Sequence, residues 1–232
     1  MTLQEFFAEN PRAAIAFSGG VDSSYLLYAA VQCGADVHAY FAKTAFQPQF
    51  ELDDAQRLAE SVGAKLTVLE LDALSSEDVA RNPANRCYYC KQNIFGNLKR
   101  AAAEDGFTLI LDGTNASDDA GDRPGMRALR EMDVRSPLRE CGLTKAEIRR
   151  LSHEAGLFTW DKPAYACLAT RVPTGTRITP GCWPPRSAPR AGCSRRATRT
   201  SASACWTAAP ACSSRQISFP GRWPSTTRSS RP

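Results

Sequence analysis

The sequence has no basic, then apolar, leader at its amino end, and no apolar run approaches the roughly 20 residues that span a bilayer. Membrane insertion and secretion are therefore not expected, and a soluble cytoplasmic protein is. No internal repeat or heptad pattern appears, which argues against solenoids and coiled coils. No glycine run is followed by Gly-Lys-Ser/Thr, so a Walker loop is absent. Without a leader, the nine cysteines do not read as a disulfide framework but as metal or catalytic thiols. At 232 residues the chain fits one domain plus an appendage.

Shortages concentrate at the carboxyl end. Residues 181–232 contain no Leu, Val, Met, Tyr, Asn, His, Lys, Asp or Glu, but nine Arg, ten Ser, seven Pro, four Cys and three Trp. So few Leu, Ile, Val and Phe fall in the range where disorder is expected, although three Trp and four Cys are not an ordinary disordered composition. The overall charge of +5 comes from this segment, because residues 1–180 hold 20 basic and 24 acidic residues, a net of −4. A nucleic-acid partner is accordingly not expected. The composition fits an out-of-frame translation of a GC-rich gene better than a natural Ser/Arg/Pro-rich linker, and the DNA around codon 180 decides between them. The expected organisation is an α/β domain over 1–155, a cysteine-bearing loop over 156–180, and an aberrant tail over 181–232.

Strand and helix patterns alternate through residues 1–180, which predicts a doubly wound parallel sheet. Strands are expected at 13–17, 37–41, 65–71 and 107–111. Helices are expected at 23–33, 50–62 (stopped by Gly63), 87–104 and 144–155, the last opened by Thr144 with Glu147 as its capping-box partner. Residues 112–124 read as a polar loop.

Between the first strand and helix stands Ser18-Gly19-Gly20-Val21-Asp22-Ser23-Ser24. The glycines permit close backbone approach, the helix N-terminus offers partial positive charge, and Ser18, Ser23 and Ser24 add donors. Asp22 is suited to holding Mg²⁺ against phosphates. The run resembles the PP-loop of ATP pyrophosphatases, which implies ATP as the ligand. The same resemblance makes Ala42 and Thr44, ending the second strand, candidates for the adenine side. Gly113, Thr114 and Asn115, with Asp118, Asp119, Asp122 and Arg123 beyond, are candidates for the ribose and α-phosphate.

Three cysteines carry a pattern. Cys87 and Cys90 stand at a helix start beside Arg86 and Lys91, where a thiolate is favoured, and two thiols make half a structural zinc site. Cys167 lies in a loop with Lys162 and Arg171 nearby, so a lowered pKa is expected there. Cys33 and Cys141 read as structural.

The glycine turn, Asn85 to Lys91, Asp112 to Asn115, and Lys162 to Arg171 with Thr179-Pro180 beyond, together resemble the LarE family of PP-loop ATP pyrophosphatases over about residues 10–180. The resemblance implies an ATP-dependent sulfur transferase that adenylylates a carboxylate of a pyridinium dicarboxylate mononucleotide and converts it to a thiocarboxylate, for the nickel-pincer cofactor of lactate racemase. It implies homo-oligomers. It places Cys167 as a sulfur donor left as dehydroalanine or, with Cys87 and Cys90, as a ligand of a [4Fe-4S] cluster carrying a transferable sulfide. The three-cysteine pattern fits the cluster branch better. Asp22 and Arg171 join Cys167 as candidate catalytic residues. The competing expectations are an amide ligase, a tRNA-thiolating enzyme, or a nucleotide-binding remnant without turnover.

Overall fold

The computed structural model describes residues 1–118 and 123–182. Its strands are β1 (Arg12–Ala16), β2 (Asp36–Lys43), β3 (Lys65–Glu70) and β4 (Ile110–Leu111). Its helices are α1 (Leu3–Glu9), α2 (Val21–Gln32), α3 (Gln49–Val62), α4 (Glu77–Ala80), α5 (Arg86–Glu104), α6 (Pro124–Glu131), α7 (Pro137–Glu140) and α8 (Lys145–Glu154). The strands pair in parallel in the order β3-β2-β1-β4. Order reverses between β1 and β4, and in such a sheet a ligand crevice opens at the carboxyl ends of the strands on either side of that reversal.

Alternation along β1 feeds two cores. Ala13, Ile15 and Phe17 join Leu26 and Leu27 of α2 and Leu58 of α3 on one face. Ala14 joins Phe95, Leu98 and Ala102 of α5 and Leu129 of α6 on the other. Ile15, Leu26 and Leu27 are fully buried, each stabilising the fold by about 2 kcal/mol in transfer terms. The expected doubly wound sheet is present. Gly34 and Gly63, at φ +73° and +71°, turn the chain from α2 into β2 and from α3 into β3.

The fourth strand is shorter than the predicted 107–111. Phe107 N–H donates to the Ala102 carbonyl, prolonging the exit from α5, and its ring packs under the Arg12 guanidinium. Pairing with β1 begins only at Leu109, whose carbonyl accepts from Ala14 N–H. On the other side, Leu111 bridges Arg135. Four helices, α1, α4, α6 and α7, escape the periodicity. Helix α1 is short but is set by a Thr2/Glu5 capping box and buries Phe6 and Phe7. Helix α6 follows the polar loop and starts at Pro124.

Helix α8 carries the expected capping box, with Thr144 Oγ1 accepting from Glu147 N–H and the Glu147 carboxylate accepting from Thr144 N–H. Because this helix presents Lys145 to the first turn of α2, its start matters for function. Thr144→Ala is expected to cost about 1 kcal/mol, read as a lower urea midpoint with unchanged m-value. Residues 168–178 do not stand apart: Ala169 and Ile178 pack with Phe46, Ala73 and Val79 in a third cluster. Cys141 packs against the main core, while Cys33 ends α2 at the surface. Among the described residues, no helix is long and apolar enough to cross a membrane. The expectations for the tail beyond Cys182, and for Asp119 and Asp122, fall outside the described residues.

Candidate functional site

A cleft of about 320 Å³ opens where β1, β2 and β4 end. Ser18, Gly20, Asp22 and Ser23 line it, with Gly113 packed against Ser23 and Thr114 following, and Ala42 comes from β2. Lys91, Ile94, Phe95 and Leu98 of α5 line it lengthwise.

The glycine turn is folded by its own hydroxyls. Ser18 N–H donates to Ser23 Oγ at 3.3 Å, Ser23 Oγ donates to the Gly20 carbonyl at 3.3 Å, and the two hydroxyls lie 3.1 Å apart. These donors stand at the N-terminus of α2, where the helix dipole favours an anion. Gly19 has φ +67°, and a Cβ there would meet the Glu51 carbonyl at 3.0 Å. Gly113 packs even more tightly: a Cβ would lie 2.8 Å from Ser23 N. Glycine is required at both positions because backbone meets backbone.

One oxygen of Asp22 is held by the Lys145 ammonium, while Oδ1 is buried without a hydrogen-bond partner. A buried carboxylate oxygen with nothing to accept from, at the mouth of a phosphate-type turn, fits a divalent cation. Asp22 is therefore the residue that would hold Mg²⁺. Lys145 was not singled out from the sequence, although a signal existed. It stands at the first position of α8, where the helix dipole disfavours a cation. Its backbone N–H also donates to Ser117 Oγ, tying α8 to the loop after β4.

The remaining expected nucleotide residues divide in two. Val21 and Ser24 are buried in α2, the latter with an unpartnered hydroxyl. Thr44 uses its hydroxyl on Gln47 and on the Phe46 N–H, so it shapes a turn, and Gln47 rather than Thr44 reaches the cleft. Asn115 likewise caps the 115–118 turn through Ser117 N–H. Arg123 is exposed at the start of α6 and lies outside the cleft lining. Asp112, flanking the expected run, lines the cleft and accepts from the Ser136 and Thr114 hydroxyls.

The cysteine region is held by a buried clamp. Asn82, at φ +54° and 1% exposed, donates from Nδ2 to the carbonyls of Val172, Pro173 and Thr176 at 3.3, 2.9 and 3.2 Å. Its own carbonyl accepts from Gly175 N–H at 2.8 Å. Arg86 donates to Asn82 Oδ1 and, at 3.0 Å, to the Ala169 carbonyl. Arg86 thus fastens the loop bearing Cys167, and its guanidinium lies 4.0 Å from Cys87 Sγ.

The thiol pKa values correct the expectation of activated thiolates. Burial pushes Cys90 up to about 12, with charge on Cys167 and Cys87 adding to the rise and Arg86 and Lys91 opposing it. Burial also raises Cys167, against the Ala169 N–H and Arg86. The cations expected to lower Cys167 are engaged elsewhere. Lys162 donates to the Gly19 carbonyl at 3.1 Å and pairs with Asp54 at 2.7 Å. Arg171 donates to the Tyr165 hydroxyl and is not part of the cleft lining. The three thiols lie close enough to shift one another, yet among the described residues no three His, Cys, Asp or Glu side chains are set to hold a metal ion.

The asparagine synthase family matches residues 8–116. A pyridinium-3,5-bisthiocarboxylic acid mononucleotide synthase from Lactiplantibacillus plantarum is 36% identical over 180 residues, covering 77% of this chain and 65% of the relative. The uncharacterized protein slr1717 of Synechocystis is 39% identical over 180 residues, covering 76% and 66%. The chain thus spans just under two thirds of the length of these curated relatives. An NMN synthetase from Francisella tularensis shares the fold, with a TM-score of 0.51 over 70% of each chain at 16% identity. On these relatives, and with the parallel sheet and glycine turn in place, the chain belongs to the LarE family of PP-loop proteins.

Proposed function

We propose that this chain activates a carboxylate of a pyridinium dicarboxylate mononucleotide with ATP and converts it to a thiocarboxylate, a step in building the nickel-pincer nucleotide cofactor of lactate racemase. The observation that carries the reading is the course of α5. Its first turns hold Cys87 and Cys90, and its next turns line the nucleotide cleft. Activated carboxylate and sulfur would therefore meet along one rigid helix.

In the first half-reaction, a substrate carboxylate oxygen attacks the α-phosphorus. An O–P bond forms, the bond to the β-phosphate oxygen breaks, and pyrophosphate leaves with the electron pair. The chain contributes position and charge: Gly20, Ser18 and Ser23 supply donors, and Asp22 would hold a divalent cation that would neutralise phosphate charge. In the second, a sulfur nucleophile adds to the acyl carbon and AMP departs. With Cys167 as donor, loss of its Cα proton and cleavage of its Cβ–S bond leave dehydroalanine and release the thiocarboxylate.

Residues 1–180 are net acidic, which disfavours tRNA as substrate, and amide formation has no use for Cys87, Cys90 and Cys167. The test is pyrophosphate release under anaerobic conditions with ATP, Mg²⁺ and the dicarboxylate nucleotide. Release that depends on all three, accompanied by loss of the elements of H₂S from Cys167 in the mass spectrum, is expected. Nucleotide binding without release would instead mark a remnant. Stoichiometric iron after anaerobic reconstitution, with Cys167 intact after turnover, would move the sulfur source to a cluster held by Cys87, Cys90 and Cys167.

A further inference from the structure

Among the described residues, the charged side chains lining the nucleotide cleft are Asp22, Asp112 and Asp118, which are acidic, and Lys91, which alone is basic. Nucleotide, substrate carboxylate and acyl-adenylate are all anions, so one ammonium among three carboxylates is conspicuous. Lys91 makes no ion pair among the described residues, whereas Lys145 and Lys162 are both committed to aspartates. Burial lowers the Lys91 pKa, and Asp112, Cys87, Asp118 and Cys90 act the other way, favouring its charged form.

Helix geometry explains this double influence of carboxylates and thiols. Cys87 and Lys91 are four residues apart on α5, hence on one face a single turn apart. That face packs against α6, and the contact is made at Gly125. A Cβ on Gly125 would lie 3.3 Å from Lys91 Cδ and Cε and 3.9 Å from Cys87 Cβ. The glycine leaves the lysine stem just enough room to run along α6 into the cleft.

We propose that Lys91 is a catalytic residue of both half-reactions, a mobile-headed cation on a fixed stem that contacts the reacting carboxylate. In adenylylation it holds the carboxylate oxygen against the α-phosphorus. In sulfur transfer it neutralises the oxyanion that forms when sulfur adds to the acyl carbon, before the C–O bond to AMP breaks. Neither step requires Lys91 to gain or lose a proton. The proposal rests on the acyl-adenylate reading above.

The test separates the two. Substrate-dependent exchange of labelled pyrophosphate into ATP is measured for the full chain and for Lys91→Gln, Lys91→Arg and Gly125→Ala. ATP affinity and thermal midpoint are recorded alongside. Lys91→Gln is expected to lose exchange by about 10²–10³-fold with ATP affinity changed less than about tenfold, and Lys91→Arg to recover part of it. Gly125→Ala is expected to raise the thermal midpoint, as alanine does in a helix, yet to slow exchange by crowding the stem. A merely structural lysine would move rate and midpoint in the same direction. Exchange in the parent chain that persists in Lys91→Gln overturns the proposal. No exchange in the parent chain overturns the adenylylation reading, and the role assigned to Lys91 falls with it.

Discussion

Replacing Asp22 by Asn is expected to lower magnesium-dependent pyrophosphate release by on the order of 10³-fold, with binding of metal-free nucleotide held steady or tightened. The opposite signs follow from the two jobs of one carboxylate. Oδ1 is buried and unpartnered, so a cation is its natural complement, and the amide of Asn cannot supply the charge. Oδ2 holds Lys145, and in the variant that ammonium is released to face the nucleotide. Removing an anion from a cleft that already holds Asp112 and Asp118 also relieves repulsion of phosphate. Calorimetry with and without chelator, beside a pyrophosphate assay, reads both effects. Retention of more than a tenth of the parent rate would remove Asp22 from the metal role.

Asn82→Ala is expected to destabilise the fold by about 3 kcal/mol and to lower the thermal midpoint by roughly 6–12 °C. Three loop carbonyls lose their donor, and the buried Arg86 guanidinium loses an acceptor. Alanine also sits poorly at φ +54°, a region that Asn tolerates. Asn82→Gly separates these contributions, since it relieves the backbone but still lacks the amide. Both variants should quicken alkylation of Cys167, because the clamp that holds residues 169–176 against α4 and α5 is gone. Unchanged alkylation in a destabilised variant would show that the loop is held by Ala169 and Ile178 packing instead.

The parts legible in the sequence were those where one local rule decides. Ser18 to Ser24 identifies itself, because strand, glycine pair and helix start coincide. The capping box at Thr144 fixes α8 to the residue. Strand β1 shows its two faces because Ala13, Ile15 and Ala14 serve different cores. What was illegible depends on partners distant in the chain. Thr44 looks like a nucleotide contact until Gln47 takes its hydroxyl. Lys162 and Arg171 look like activators of Cys167 until Asp54 and Tyr165 claim them. Lys91 read as a neighbour of two thiols, and only the packing of α5 against α6 turns it toward the cleft. Burial likewise reversed the expected thiol shifts, since desolvation depends on surroundings that spacing does not encode.

The left-handed turns at Gly34 and Gly63 have a practical consequence. Each feeds the amino end of a strand, and nothing approaches within 4 Å of where a side chain would begin. In a parallel sheet those ends lie on the rim away from the nucleotide crevice. A fluorophore or affinity handle inserted beside either glycine would therefore report on folding and assembly without entering the chemistry.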